Sequence, residues 1–531
     1  MSDSNTKAYM LLGTASNVGK SLMTVALCRW LHRHGKAVAP FKALNVALNS
    51  YPAAEGGEIG MAQAQQAVAA GLSPSVDMNP VLIKPGGDGH SQLILRGQVS
   101  RDYEATLPAS SHSAVQEVIL RSYHELLRLY EIVILEGSGS PVEMNLKARD
   151  LANLWMAEAA NAKCVLVADI ERGGVFASVI GTWTLLSPAE RSRFVGFIIN
   201  KFYGNAGAFS DGVRFIEERT GLRCLGVVPY LPNLRLRDED SLDLQPLRRQ
   251  GRAISSSDSL RIGVIRYPHI SNFTDFDALA QEPSVELKYC QHPADCEELD
   301  LLILPGTKST VADLTWLRAQ RLTESISQLR NRGVRVFGIC GGMQMLGQRI
   351  EDPCGVEMAG GVGVDGLGLL PIQTIMAATK ITVPVRARMF DSSFCGSMLE
   401  GYEIHMGRSE PTEDRTVPLL KVWGREATDS QLDGAQSLDG RVWGTYVHGL
   451  FDNDDFRLAF LNLLRSEKGV NELQAVQPYS EDGYFAELDR WTDHVIKHLD
   501  RDFLMTLMGD RQNQSTSMPQ QYIRQNRGIF R

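Results

Sequence analysis

The sequence predicts an α/β chain of two doubly wound units, and three observations predict it. Short apolar runs alternate with helix-like stretches in both halves, the pattern of strands covered by helices. Two of those runs end in turns of small residues, at 13–21 and 340–342, that lead straight into a helical pattern. The length, 531 residues, suits two to four domains at roughly 100 to 200 residues each.

In chain order, the apolar runs at 8–12, 38–41, 132–135, 164–168 and 195–199 read as strands of one mainly parallel sheet. After 247 the chain turns basic, with Arg248, Arg249 and Arg252, and then serine-rich at Ser255, Ser256 and Ser257. Such a stretch reads as a linker. A second series follows, with strands expected at 261–265, 301–304, 334–339 and 442–447. The expected domains are therefore 1–247, a linker at 248–260, and 261–509 with a helical C-terminal region. The tail, 510–531, is expected to be partly disordered, because its last 21 residues carry four arginines and no acids.

Composition sets outer limits on function. Hydrophobic residues make up 44% and charged residues 22%, which allows a sizeable core and excludes wholesale disorder. The 54 Lys and Arg against 62 Asp and Glu leave a formal charge of −8, which argues against nucleic acid or an anionic membrane as the main partner. No stretch approaches the ~20 apolar residues of a membrane helix, and the run at 8–12 is too short for a signal peptide, so a cytoplasmic location is expected. The eight cysteines are scattered, and the closest pair, Cys290 and Cys296, lacks zinc or redox spacing. Neither a disulfide scaffold nor structural zinc is expected.

The first loop, Gly13-Thr14-Ala15-Ser16-Asn17-Val18-Gly19-Lys20-Ser21, lies between a strand and the helix-forming stretch 22–34. Backbone N–H groups of such a loop point at phosphate oxygens, Lys20 reaches the β and γ phosphates, and the Ser21 hydroxyl holds Mg2+. Gly13, Asn17, Gly19, Lys20 and Ser21 are thus the candidate ATP-binding residues. A glycine-rich turn that merely ends a strand is the plain alternative, and the strand, loop and helix context outweighs it. Five residues, not four, separate Gly13 from Gly19. In this the loop resembles the dethiobiotin-synthetase-like branch of P-loop NTPases, which activates carboxylates with ATP. The resemblance implies that Glu136, at the end of Ile132-Val133-Ile134-Leu135-Glu136, supplies another carboxylate for magnesium in the crevice where α/β ligands bind. Asn200, also at a strand end, is the candidate for recognising the base, though a simple turn explains it nearly as well.

In the second half, Gly338-Ile339-Cys340-Gly341-Gly342 follows a strand and precedes a helical run, the nucleophile-elbow pattern with cysteine in the serine position. A helix N-terminus behind Cys340 favours its thiolate. Buried structural cysteines are common, but the flanking glycines favour the nucleophile. A cysteine nucleophile needs a base, and Gly444-Thr445-Tyr446-Val447-His448-Gly449 places a histidine at the end of an apolar strand. These motifs resemble the class I glutamine amidotransferases. The resemblance implies that Cys340 attacks the amide of glutamine, that His448 shuttles protons, and that the backbone N–H groups of Gly306, in Leu304-Pro305-Gly306-Thr307, and of Gly341 form the oxyanion hole. Most members carry a glutamate two residues after the histidine, where this chain has Leu450. Either a dyad suffices or another acid orients His448. Glu403 is a candidate, and the third member stays unassigned.

The intervening motifs resemble the cobyric acid synthase family: Pro40-Phe41-Lys42-Ala43-Leu44-Asn45, Glu136-Gly137-Ser138-Gly139-Ser140-Pro141-Val142-Glu143-Met144-Asn145, Asp169-Ile170-Glu171-Arg172-Gly173-Gly174 and Tyr402-Glu403-Ile404-His405-Met406-Gly407. With the loop and the elbow they cover about residues 9 to 460. One departure is Leu44, where the family pattern has glutamine. The resemblance implies amidation of the b, d, e and g carboxylates of the corrinoid (adenosyl)cobyrinic acid a,c-diamide in cobalamin biosynthesis, with ATP, Mg2+ and L-glutamine, and contacts to substrate from Lys42, Asn45, Asp169 and Arg172. Cobyrinate a,c-diamide synthase is the nearest alternative. A P-loop ATPase switch fused to an inactive amidotransferase-like module is the alternative from another class; it fits less well, because Cys340 and His448 are both present. The oligomeric state, the order of amidations and the corrinoid's axial ligand are not legible in the sequence.

Overall fold

The computed structural model describes residues 7–86, 91–100, 112–236, 258–357, 361, 363–391, 394, 396–414, 416–424, 427–479 and 481–509. Most of the expected linker, 248–257, and the tail, 510–531, lie outside the described residues.

The first sheet is six-stranded and wholly parallel, in the order Cys224–Pro229, Phe194–Phe202, Lys163–Asp169, Lys7–Gly13, Ile132–Glu136, Val38–Phe41. Its central strands are buried on both faces, so each reads as a nearly continuous apolar run instead of an alternation. From Lys7–Gly13 the chain passes to the edge strand Val38–Phe41, returns to Ile132–Glu136 beside the first strand, and then crosses to Lys163–Asp169 and winds outward on the other side. The switch point therefore falls at the carboxyl end of Lys7–Gly13, next to Ile132–Glu136 and Lys163–Asp169. Ligand crevices of open α/β sheets form at that point.

Between Val38–Phe41 and Ile132–Glu136 lies an insertion. It contains the small sheet Leu44–Val46, Val81–Pro85, Ser91–Leu95, Gln98–Val99, the hairpin Ser50–Pro52 with Glu58–Gly60, and the fully buried helix Met61–Ala69.

The second large sheet runs Val285–Cys290, Leu260–Ile265, Leu301–Leu304, Arg335–Ile339, Val442–Thr445, Ala435–Gln436, parallel except for the last strand. Beside it stands a mainly antiparallel sheet built on two long strands, Ile372–Met389 and Leu399–Pro411, which the apolar runs of the sequence do not announce. The expected strand 442–447 is in fact two. Val442–Thr445 belongs to the parallel sheet, and Val447–His448 pairs with Tyr402 and Glu403 in the antiparallel one. The break is fixed by buried Asp433, which accepts from Thr445 Oγ1 and from the Tyr446 N–H at 3.2 Å. This change of sheet brings His448 to Cys340.

The last two helices, Glu481–Lys497 and Arg501–Met508, were expected as part of the second domain. They pack instead on the first. Leu488, Trp491 and Val495, on one face at helical spacing, join the core formed by Tyr9, Leu11, Met23 and Leu27. Trp491 Nε1 donates to Leu22 O at 2.7 Å, and Arg29 pairs with Asp489 at 2.8 Å. The chain end thus returns to the first helix, Lys20–Arg33, and only tertiary contact reveals it.

Candidate active sites

At the first site the loop 13–19 ends in Gly19, at φ 96°, which caps the helix Lys20–Arg33. A Cβ there would lie 2.2 Å from Asn200 Nδ2, so only glycine fits. Lys20 is buried and donates to the carbonyls of Ala15 at 3.0 Å and Gly139 at 3.1 Å. Ser21 Oγ donates to Glu136 Oε1 at 2.8 Å, and Lys42 Nζ pairs with the same oxygen at 2.8 Å. Gln66 Nε2, from the helix Met61–Ala69, donates to Glu136 Oε2 at 2.6 Å. Full burial alone would raise the Glu136 carboxyl, but Lys42, Gln66 and Lys20 outweigh it and hold the group below the usual carboxylate range. Glu136 is therefore ionised beside the loop 13–19. Ser21 and Glu136 are both oxygen donors within 2.8 Å of each other, a set suited to a hard divalent cation.

Two strand-end residues buttress the loop from the other side. Asn200 Nδ2 donates to Val18 O at 2.9 Å, and Lys201 Nζ donates to Asn17 O at 2.7 Å and pairs with Asp169 at 3.0 Å. Of the residues expected at the substrate, Lys42 thus meets Glu136, and Asp169 meets Lys201 under the loop. Asn45 is buried and pairs with Gln63 at 3.0 Å, while Arg172 is exposed in the turn before the helix Val175–Leu185. Leu44 lies on the strand opposite Val81.

At the second site Cys340 joins the strand Arg335–Ile339 to the helix Gly341–Leu346 with φ 53° and ψ −113°. A non-glycine residue there is strained, and the turn is held because a Cβ on Gly342 would lie 1.9 Å from Leu304 O. The Cys340 thiol donates to Ile404 O at 3.5 Å, and the sulfur is close enough to His448 to act on its charge. His448 is fully buried, and its Nδ1–H donates to Asp275 Oδ2 at 2.7 Å; the other carboxylate oxygen accepts from the Gly449 N–H at 3.0 Å. Tyr402 stacks on the imidazole with centroids 5.2 Å apart. Burial disfavours charge on His448, but Asp275 and the Cys340 sulfur overcome it and raise the imidazole to about 10.

The acid that meets His448, left open by the sequence, is thus Asp275 and not Glu403. Tyr402 is paired with His448 and Glu403 with Val447. Successive residues face opposite sides of a strand, so Tyr402 shares the imidazole's face and Glu403 points away. Glu403 lies 3.9 Å from His405, and with burial it pushes Asp433 up to about 7. Leu450 is buried in the core. Asp275 stands 173 residues from His448. The available signal was Ser271-Asn272-Phe273-Thr274-Asp275-Phe276, a polar loop after the first strand of its sheet.

Near Cys340 the chain segment 306–307 approaches the elbow: a Cβ on Gly341 would lie 2.7 Å from Thr307 Cγ2, and one on Gly306 would lie 3.1 Å from His448 Cε1. A small cleft of about 50 Å³ opens over the cysteine, lined by Cys340, Gln344, Glu357, Lys308 and His405 from this domain and by Lys84 and Gln92 from the first.

A nucleotide-type loop and a cysteine–histidine–aspartate site in one chain define a two-domain amidotransferase. Residues 9–244 match the CobQ/CobB/MinD/ParA nucleotide binding domain, and residues 261–456 match the CobB/CobQ-like glutamine amidotransferase domain. Proteins named cobyric acid synthase from Syntrophobacter fumaroxidans, Sorangium cellulosum and Moorella thermoacetica are each 44% identical to the chain. They align over 95%, 94% and 95% of it and over 99%, 98% and 97% of their own lengths. The chain belongs to the cobyric acid synthase family, enzymes that combine a ligase with a glutamine amidotransferase domain. Among the described residues no helix is long and apolar enough to cross a membrane.

Proposed function

We propose that the chain uses ATP and glutamine to amidate peripheral carboxylates of a corrinoid, namely the b, d, e and g carboxylates of cobyrinic acid a,c-diamide. The observation that carries this reading is the pairing of the Lys20, Ser21 and Glu136 cradle with the Cys340, His448 and Asp275 arrangement in one molecule of this family. A carboxylate is a poor electrophile, because its leaving group is oxide. Transfer of the γ-phosphoryl group makes an acyl phosphate; ammonia attacks it, and inorganic phosphate leaves. Lys20 neutralises charge in the first step, and the Gly13 to Gly19 backbone, with Asn17, holds the phosphates. Asn200 and Lys201 keep that loop in shape. Ser21 and Glu136 would hold Mg2+, which supplies further neutralisation of phosphate charge. Lys42, Asn45, Asp169 and Arg172 remain the candidates for contact with the corrinoid acid.

At the second site the Cys340 sulfur attacks the side-chain amide carbon of glutamine. His448 Nε2 takes the thiol proton and returns it to the departing ammonia, and Asp275 fixes the imidazole by accepting from Nδ1. The N–H groups of Gly306 and Gly341 receive the oxyanion, and water then releases glutamate from the thioester. Ammonia must reach the acyl phosphate unprotonated, and the cleft over Cys340, lined by residues of both domains, is where it leaves. The test is incubation with ATP, Mg2+, glutamine and cobyrinic acid a,c-diamide, counting amides by mass. Four additions are expected, none without ATP. No addition to this substrate but two to cobyrinic acid would instead identify a diamide-forming enzyme.

A further inference from the structure

The hairpin Ser50–Pro52 with Glu58–Gly60 belongs to the first domain, yet it is anchored in the second. Glu58, fully buried, pairs with Lys84 of its own domain at 2.6 Å and with Lys380 of the long antiparallel strand. Tyr51 packs on Tyr402, which also stacks on the His448 ring. Asn49 Oδ1 accepts from the Phe273 N–H at 3.3 Å.

The contact nearest the chemistry is Asn272, buried and left-handed at φ 51°. Its Oδ1 accepts from the Ser50 N–H at 3.2 Å, and its Nδ2 lies 3.4 Å from His448 Nε2. The Ser50 N–H can only donate, so it fixes which end of the carboxamide meets the histidine. The end that meets Nε2 is the NH2, itself only a donor. It stabilises an unprotonated Nε2, and it opposes a protonated one because two N–H groups would face each other. Nε2 is the atom that must take the thiol proton.

The segment that holds Asn272 also reaches the other site. Within a few residues of Glu58 begins the helix Met61–Ala69, whose Gln66 donates to Glu136 at 2.6 Å and to Ser21 O at 3.4 Å. One continuous stretch, 49–66, therefore touches Glu136 and Ser21 at one end and, at the other, Asn272 and Tyr402, the two residues that adjoin His448.

We propose that Asn272 is a positioning residue that, while pinned by Ser50, restrains proton transfer from Cys340 to His448, and that ligands at the nucleotide site relieve this restraint by moving the 49–66 segment. The proposal rests on the reading of Cys340 and His448 as the glutamine-hydrolysing pair. The titratable side chains around His448 are Asp275 at Nδ1, Tyr402 on the ring face and Cys340 nearby, and Asn272 at Nε2 adds an uncharged bias to their balance.

The test is the rate at which a haloacetamide alkylates Cys340, read by peptide mass in the full-length protein, because that rate follows the thiolate fraction. Asn272→Gly removes the amide and tolerates the left-handed backbone. It should raise alkylation at neutral pH about fivefold, the factor of one ordinary hydrogen bond. It should also raise glutamine hydrolysis in the absence of acceptor and leave ammonia-supported amidation unchanged. In the wild type, a non-hydrolysable ATP analogue with Mg2+ and the corrinoid acid should raise alkylation to a similar level, and in Asn272→Gly the same ligands should add little. Unchanged or slower alkylation in Asn272→Gly, or a wild type that does not respond to the ligands, overturns the proposal. Cys340→Ala separates this from the underlying reading: if it still hydrolyses glutamine, the functional assignment of the site fails, whatever Asn272 does.

Discussion

The two sites are built in opposite ways. At the first, one continuous loop of nine residues, 13–21, wraps the Lys20 ammonium, and Glu136 comes from the strand hydrogen-bonded alongside. At the second, Cys340, His448, Asp275 and Asn272 come from three distant segments, and the histidine arrives only because its strand changes sheet. Their electrostatics are opposed as well. Cations favour the charged form of a buried carboxylate at the first site, whereas a carboxylate raises the proton affinity of a buried imidazole at the second. The contrast teaches that a phosphate cradle, made of backbone, tolerates change in most side chains but not in its lysine. A nucleophile site, made of side chains in register, depends on each of them.

The sharpest way to break that comparison is Lys20→Ala. Amide formation should vanish with glutamine and with ammonia alike, since acyl phosphate formation needs the γ-phosphate placed. Glutamine hydrolysis should persist, measured as glutamate release. Amidation at the wild-type rate would remove the loop from the mechanism.

Next in size is Asp275→Asn. An asparagine can keep the geometry while offering the wrong tautomer to Nδ1, and glutamine-dependent turnover should fall by about 10⁴. Ammonia-supported amidation, counted by mass, should stay near normal, because the first site does not use the triad. A loss of less than tenfold would mean that Cys340 and His448 act as a dyad.

Glu403→Gln should then cost glutamine hydrolysis little, under threefold by analogy with other changes away from the reacting groups. A loss comparable to that of Asp275→Asn would return Glu403 to the triad against the strand register.

The smallest effect is thermodynamic. His448 is raised from 6.5 to about 10 in the folded protein, so its pairing with Asp275 contributes stability that is fully present below pH 6.5. That contribution is lost as pH rises through about 10. The difference in melting temperature between wild type and Asp275→Asn should therefore shrink between these two values. A difference that is constant with pH would mean that the pair does not titrate as one unit.

By itself the sequence determined whatever is local. The spacing of Gly13, Gly19, Lys20 and Ser21 demands a strand, a loop and a helix in succession, and the glycines around Cys340 permit an elbow that few other residues could form. Both follow from backbone sterics within a dozen residues, and the apolar runs that carry them are visible because parallel strands are buried on both faces. Tertiary structure alone decided which acid meets His448, because sheet register turns Glu403 away and a loop after another strand brings Asp275 in. It also decided that the last helices return to the first domain and that Ser50 reaches Asn272. Contacts of that kind join residues more than 170 positions apart, and they are fixed by how the two sheets and the insertion pack together. No local propensity or spacing in the chain encodes that packing.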